Sequence, residues 1–259
     1  MTAKRCDESS AVIVGGSTGV GVQTAIQLAE AGVPRMTLIA RSPDRLAAVA
    51  DQVRDSAGRV TVHTVSADAA DLPQITAAIA EAESEMHGID VLVNSVAGSG
   101  VPDLLHELDP ASFAQTLRGQ LLAPLITSRL VLPGMYARES GSIINIASDA
   151  AKVATPGETV LGAGMAGIVM FTRALALEAK RSGVRVNAIT PSLIQGTPTT
   201  ERITREGFSA KLFAGAARQA HLGVVEPADI AALVVFLAGP AAAKLTGQAI
   251  SVNGGISAA

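Results

Sequence analysis

A short apolar run that ends in a glycine-spaced turn and passes directly into a helix constrains this chain more than any other feature. Residues 11–14 are all apolar, Gly15-Gly16-Ser17-Thr18-Gly19-Val20-Gly21 follows, and residues 20–31 carry a helical pattern closed at Gly32. Strand, tight turn and helix in that order open a parallel α/β unit. The pattern then repeats. Residues 36–40 read as a second strand, Ser42-Pro43-Asp44 caps a helix to about Ser56, and residues 59–66 alternate as a third strand. A helix over about 72–86, a strand over 91–94, a long helix around 111–131 and a strand over 142–147 come next. A helix over about 157–180, a strand over 184–189, a helix over 227–238 and a strand over 249–252 complete the series. Strands separated by helices of this length imply right-handed crossovers. The expected fold is one α/β domain over residues 1–259, a doubly wound parallel sheet of about seven strands with helices on both faces.

Composition agrees with buried parallel strands. Of the 259 residues 48% are apolar but only 2% aromatic, so Ala, Val, Leu and Ile must supply the core. The net charge is −3 and the 20 basic residues are dispersed, which argues against a nucleic-acid partner. The single cysteine, Cys6, lies in a polar segment over residues 1–9 and reads as a solvated thiol; no disulfide framework and no metal site are expected. No basic-then-apolar leader opens the chain, and no apolar run is read as reaching the roughly 18 residues that span a bilayer. A cytoplasmic protein without a membrane partner is the expectation.

The glycine turn has a physical purpose. Gly15 permits a tight turn after the strand, Gly19 lets backbone approach a pyrophosphate, and Gly21 allows close helix packing. The helix N-terminus then faces the anion. At the end of the second strand, where a carboxylate would accept from the adenosine ribose of NAD, the chain has Ala40. Arg41 and Ser42 follow and suit a 2′-phosphate, so NADP(H) is favoured over NAD; the alternative for Arg41 is a solvated surface charge. Asp68, past the third strand, either accepts from an adenine amino group or caps the next helix. Residues 192–221, rich in Thr, Gly and Ala after Pro191, are the least regular part, and read either as a substrate lid or as a surface excursion.

These features together resemble the short-chain dehydrogenase/reductase family over residues 12–255. The resemblance rests on the GxxxGxG of Gly15 to Gly21, on Asp68, on Asp90-Val91-Leu92-Val93-Asn94 and on Gly141-Ser142-Ile143-Ile144-Asn145-Ile146-Ala147-Ser148. It rests also on Val184-Arg185-Val186-Asn187-Ala188-Ile189-Thr190-Pro191 and on Thr246-Gly247-Gln248 through Gly255. It implies a Rossmann fold and a cofactor pocket that includes Ser17, Thr18, Val20, Asn94, Pro191, Ile194 and Thr197. It also implies a homotetramer or homodimer built through the helices bearing Gln120 and Met165, with the face over residues 163–171 covered by another subunit. Residues 148–153 and Gly157-Glu158 are similar to members that oxidise alicyclic hydroxyacyl-CoA thioesters.

In that family a Ser polarises the substrate oxygen, a Tyr passes the proton, a Lys lowers the Tyr pKa and holds the nicotinamide ribose, and an Asn anchors a water relay. By family spacing the Ser is Ser148, but the Tyr position is Leu161, the Lys position Met165 and the Asn position Gln120. Neither Leu161 nor Met165 carries a proton. The Asn-Asn-Ala-Gly motif reads Asn94-Ser95-Val96-Ala97. The only tyrosine, Tyr136, is expected beyond the long helix and away from the C-terminal strand edge where ligands sit. Glu158 and His106 are the candidate substitute acids or bases, ahead of Asp149 and Lys152; for each the alternative is a loop charge or a cap. The glycines in Gly162-Ala163-Gly164-Met165-Ala166-Gly167 suggest an altered backbone or a helix that starts near Gly167.

Three functions remain at this point. One is an atypical NADP(H)-dependent oxidoreductase acting on a largely nonpolar small molecule. The second is a non-redox cyclase, dehydratase or isomerase on the same fold, and the third a catalytically silent partner subunit.

Overall fold

The computed structural model describes residues 3–259. Seven strands, β1 (Ser10–Val14), β2 (Arg35–Ala40), β3 (Thr61–Ser66), β4 (Val91–Asn94), β5 (Gly141–Ile146), β6 (Val184–Thr190) and β7 (Ala249–Ser251), form one sheet. Their order is β3-β2-β1-β4-β5-β6-β7 and every pairing is parallel. The expected single α/β domain is therefore present, with its change of winding direction between β1 and β4. A crevice opens at such a point, outside the carboxyl ends of the strands.

Both sheet faces are covered, which is why inner strands such as β1 and β4 read as nearly continuous apolar runs, while the edge strand β3 alternates. In β1, Ala11 and Ile13 enter one core with Leu28, Leu38 and Ile230, while Val12 and Val14 enter the other with Ile75, Leu92 and Leu175. The first core lies under α1 (Gly19–Glu30), α2 (Pro43–Ala57) and the last long helix, Pro227–Ala238. The second lies under α3 (Leu72–Met86) and two further helices described next.

The long helix after β4 departs from its expectation at both ends. It runs as α4 (Phe113–Leu117), a wide π turn over Arg118–Leu122, and α5 (Ala123–Ala137). Pro133 lies inside α5, so the helix continues past the expected end near Val131 and Tyr136 sits in its last turn. The next helix, α6 (Thr159–Ala179), begins eight residues before Gly167 and is regular through its glycines. With its short extension to Ser182, α6 is long and apolar enough to cross a membrane by length and composition. That corrects the expectation that no run reaches such a length; here the helix packs on β6 as a core element. Met170, on the face expected to meet another subunit, is 62% exposed in the single chain, and Leu177, further along the same helix, is 65% exposed.

Two other segments are more ordered than their composition suggests. The excursion over 192–221 contains α7 (Pro198–Ile203) and α8 (Gly207–Gln219), and Leu193, Ile203 and Phe213 form a small core of their own. Segment 3–9 is not a free tail. Lys4 pairs with Asp90 at 2.8 Å, and Cys6 packs on the first core, where burial pushes its thiol up from the ordinary range.

Arg185 of β6 is buried and donates to Leu237 O at 2.7 Å and to Ala238 O and Ala242 O at 3.2 Å, closing the end of α9 (Pro227–Ala238). Leu237 O and Ala238 O, at the end of the helix, have no intrahelical donors of their own. Replacing Arg185→Leu leaves Ala238 O without a donor in the interior, while Leu237 O keeps Ser142 Oγ and Ala242 O keeps Leu245 N, and is expected to lower unfolding free energy by about 1–3 kcal/mol in urea titration.

Candidate active site

The crevice at the C-terminal edge is a cavity of about 570 Å³. One end is built by the glycine turn. Gly15, at φ +86°, turns the chain off β1, and its amide donates to Ile39 O at 2.8 Å. A Cβ there would stand 2.3 Å from Ser95 O, so the β4 loop packs directly on this backbone. A Cβ on Gly21 would stand 2.2 Å from Gly15 O, so helix and turn touch as expected. Thr18, the residue ahead of α1, is extended and its side chain makes no bond to the first-turn amides. Thr18, Gly19 and Val20 line the cavity. Free amides at the positive end of a twelve-residue helix form an anion cradle, and the residues present fit the pyrophosphate of a dinucleotide. Pro191, Ile194 and Thr197 line the cavity too, whereas Gly15, Ser17 and Gly21 belong to the turn but not to the lining.

Arg41 and Ser42 follow β2 and Asp68 follows β3, at the same sheet edge but outside the cavity lining. Arg41 is exposed and has no side-chain partner among the described residues. Ser42 caps α2, accepting from Arg45 N at 3.5 Å. Asp71, not Asp68, caps α3; the Asp68 carboxylate accepts from Ala70 N at 2.9 Å. Asn94 does not face the cavity. It is 2% exposed and bound on both sides: Thr127 Oγ1 donates to its Oδ1 at 2.7 Å, and its Nδ2 donates to Asn145 Oδ1 at 2.9 Å. Its side chain thereby ties β4 to β5 and α5, a structural correction to the expected cofactor contact.

At the other end Ser148, Gln120, Leu161, Met165 and Glu158 converge. Ser148 follows β5, and its Oγ accepts from Ala150 N at 3.2 Å, leaving its proton free to donate. Leu161 and Met165 lie one turn apart on α6, a spacing that puts both side chains on one face. Both border the cavity and pack with Ala147 and Ile168. The glycines of α6 serve close approach: a Cβ on Gly162 would stand 3.0 Å from Ala150 O, and one on Gly164 would stand 3.0 Å from Gln120 Oε1. The π turn points Gln120 inward, where it is 2% exposed and its Oε1 has no hydrogen-bond partner.

Glu158 immediately precedes α6. Burial pushes its carboxyl up, a hydrogen bond from Thr155 pulls it back, and the charge of Asp149 adds to the rise. Asp149 also lines the cavity; it is 6% exposed, Asn253 Nδ2 reaches its Oδ2 at 3.5 Å, and its Oδ1 has no partner. Lys152 turns away, donating to Ala249 O at 3.3 Å and Ser251 Oγ at 2.5 Å, and burial lowers its pKa. His106 is a correction: its side chain is 74% exposed beside Glu107 and does not reach the cavity. Tyr136 does not reach it either.

The segment over 192–221 forms one wall. Arg202 of α7 donates to Gly98 O in the β4 loop at 2.9 Å, and Phe208 of α8 lies so close to Gly157 that a Cβ there would meet its ring at 2.4 Å. Lys211 lines the cavity from α8. Neither stands out in the sequence: nothing local marks Arg202, whose partner lies about a hundred residues away, or places Lys211 on the cavity.

The short chain dehydrogenase family pattern matches residues 9–207. An uncharacterized oxidoreductase of Mycobacterium tuberculosis is 34% identical over 254 residues, covering 97% of this chain and 93% of that protein. The 3-oxoacyl-[acyl-carrier-protein] reductase of Staphylococcus aureus is 32% identical over 248 residues, covering 95% and 97%. A variant of the actinorhodin polyketide ketoreductase solved with NADPH superposes with a TM-score of 0.87 at 30% identity, covering 96% and 98%. The chain belongs to the short-chain dehydrogenase/reductase family of oxidoreductases, whose members use nicotinamide cofactors.

Proposed function

We propose that this protein is an NADP(H)-dependent oxidoreductase that reduces an electron-poor double bond in a largely nonpolar small molecule without a tyrosine–lysine proton relay. The observation that carries the reading is the pair Leu161 and Met165 on the cavity face of α6, beside Ser148. When bound, the nicotinamide cofactor supplies a hydride. Everything else falls to the chain's own side chains. The amides of the α1 N-terminus bind the phosphates, and Arg41 with Ser42, following Ala40, favours NADPH. The NADPH carried by the related ketoreductase supports the same preference.

Ser148 Oγ–H and the Gln120 carboxamide are the neutral hydrogen-bonding groups at the reacting end. Leu161 and Met165 exclude water and deliver no proton. Loss of a positioned acid costs about 10²–10⁴-fold, which disfavours any substrate needing a proton on oxygen as the hydride arrives. Iminium ions take no proton, and a conjugated enone takes its proton on carbon, from water that enters after the hydride has arrived and the enolate has formed.

Two measurements test this. NADPH titration followed by nicotinamide fluorescence is expected to saturate; absence of binding overturns the reading and leaves the non-redox and silent-partner functions. NADPH consumption is expected with cyclohexenone or with an N-methyl cyclic iminium salt, at a kcat/KM at least about 100-fold above that for cyclohexanone. Equal turnover of cyclohexanone overturns it.

A further inference from the structure

The wall of the cavity that faces Gln120 is held at a single polar point. From Val96 to Pro102 the loop after β4 makes one hydrogen bond among the described residues. Its donor is Arg202 of α7, 104 positions away, which reaches Gly98 O at 2.9 Å. Arg202 has no other hydrogen bond among the described residues, and its Nε is buried without a partner. Gly98 in turn lies flat against Gln120: a Cβ there would stand 2.7 Å from Gln120 Cγ and 3.0 Å from its Nε2. On the opposite side Gln120 Oε1 meets the backbone of Gly164. The carboxamide is therefore gripped between two glycine backbones, its nitrogen toward the loop and its oxygen toward α6. No hydrogen bond fixes it among the described residues. The α6 side is held by the packing of that helix on β6, whereas the loop side is set by Arg202.

We infer that Arg202 is a positioning residue for this site: by holding Gly98 O it presses the loop after β4 onto the Gln120 carboxamide and sets the direction in which that group offers hydrogen bonds to a bound substrate. The placement stands on the packing alone, while its catalytic consequence rests on the redox reading above. Hydride addition to the β-carbon of an enone forms a C–H bond, oxidises NADPH to NADP⁺ and shifts the π electrons onto oxygen as an enolate. A neutral N–H donor stabilises that oxygen only if it is aimed before the charge develops. Misplacement by about 1 Å costs up to about 10²-fold. Arg202 itself is outside the cavity lining, but its neighbour Ile203 is part of it. The segment that forms this wall and the carboxamide inside the cavity are thus set together.

The first readout is the Gln120 side-chain amide signal in the nitrogen–proton NMR spectrum of the intact protein, identified by its loss in Gln120→Leu. Arg202→Met, which removes the donor and keeps the stem, is expected to shift or split that signal, and Arg202→Lys, which retains a donor, to restore most of its position. Gly98→Ala pushes on Gln120 from the loop side and is expected to displace the same signal with Arg202 intact; it decides the matter if Arg202→Met does not fold. An unmoved signal in either variant overturns the inference. The second readout is turnover of cyclohexenone with NADPH. Arg202→Met is expected to lower kcat and kcat/KM together by about tenfold to a hundredfold, with KM changed by less than about threefold, and to cost less than about twofold more in a Gln120→Leu background. An unchanged kcat, or equal losses in the two backgrounds, overturns the role through Gln120. A displaced amide signal in a protein that does not turn over cyclohexenone removes the redox reading and keeps the positioning role, so the two fail separately.

Discussion

Introducing Leu161→Tyr together with Met165→Lys is expected to raise kcat/KM for reduction of cyclohexanone by NADPH about 10²–10⁴-fold, the range a positioned general acid supplies. The frame for such a pair is already present. Both positions lie on one face of a regular helix, both border the cavity, and Ser148 remains to polarise the oxygen. Leu161→Phe with Met165→Leu, which repacks the corner without a proton, is expected to gain nothing. No gain in the Tyr and Lys variant, with the fold retained, would show that the π turn and Gln120 have reshaped the pocket beyond those two side chains.

Gly15→Ala is expected to weaken NADPH binding by about tenfold to a hundredfold and to lower stability by about 1–3 kcal/mol. The residue sits at φ +86°, where an L side chain is strained, and its Cβ would stand 2.3 Å from Ser95 O and 2.7 Å from Ser95 C. Backbone on both sides must separate to admit it. That movement shifts the turn away from the first-turn amides of α1 and opens the β4 loop at once. Fluorescence titration of NADPH and a thermal melt measure the two effects; unchanged affinity would show that the turn does not position the phosphates.

The sheet was legible in the sequence because inner parallel strands such as β1 and β4 read as short apolar runs, the edge strand β3 as an alternating one, and each stands between helical patterns. Glycine turn chemistry was equally legible, since a strand, Gly15 and a helix start leave few alternatives. Helix boundaries were not. Pro133 reads as a stop, yet it sits in α5, and the glycines around Met165 read as helix breakers when they are contact points for Gln120 and the Ala150 loop. The segment over 192–221 looked irregular because α7 and α8 are short and rich in Ala, Gly and Thr; what orders them is their own cluster of Leu193, Ile203 and Phe213.

The candidate site was half legible. The family resemblance placed Leu161, Met165, Ser148 and Gln120, and the structure brings all four to one cavity. It could not separate Glu158, which lines that cavity, from His106, which lies in solvent, because both are lone titratable residues in loops. Asn94 has a family role by position, but its hydrogen bonds to Thr127 and Asn145 depend on a tertiary neighbourhood no local pattern records. Asp149 and Lys152 read alike as lower-ranked loop charges, and only the fold separates them, with Asp149 on the cavity lining and Lys152 turned toward β7.

The most direct measurement is a crystal structure of the protein with NADP⁺ bound. The expected result is a nicotinamide bordered by Leu161, Met165 and Ser148, with no phenol and no ammonium within hydrogen-bond reach of the reacting carbon. A structure in which Tyr136, Lys152 or Lys211 has moved into that corner would contradict it and return the protein to ordinary ketone reduction.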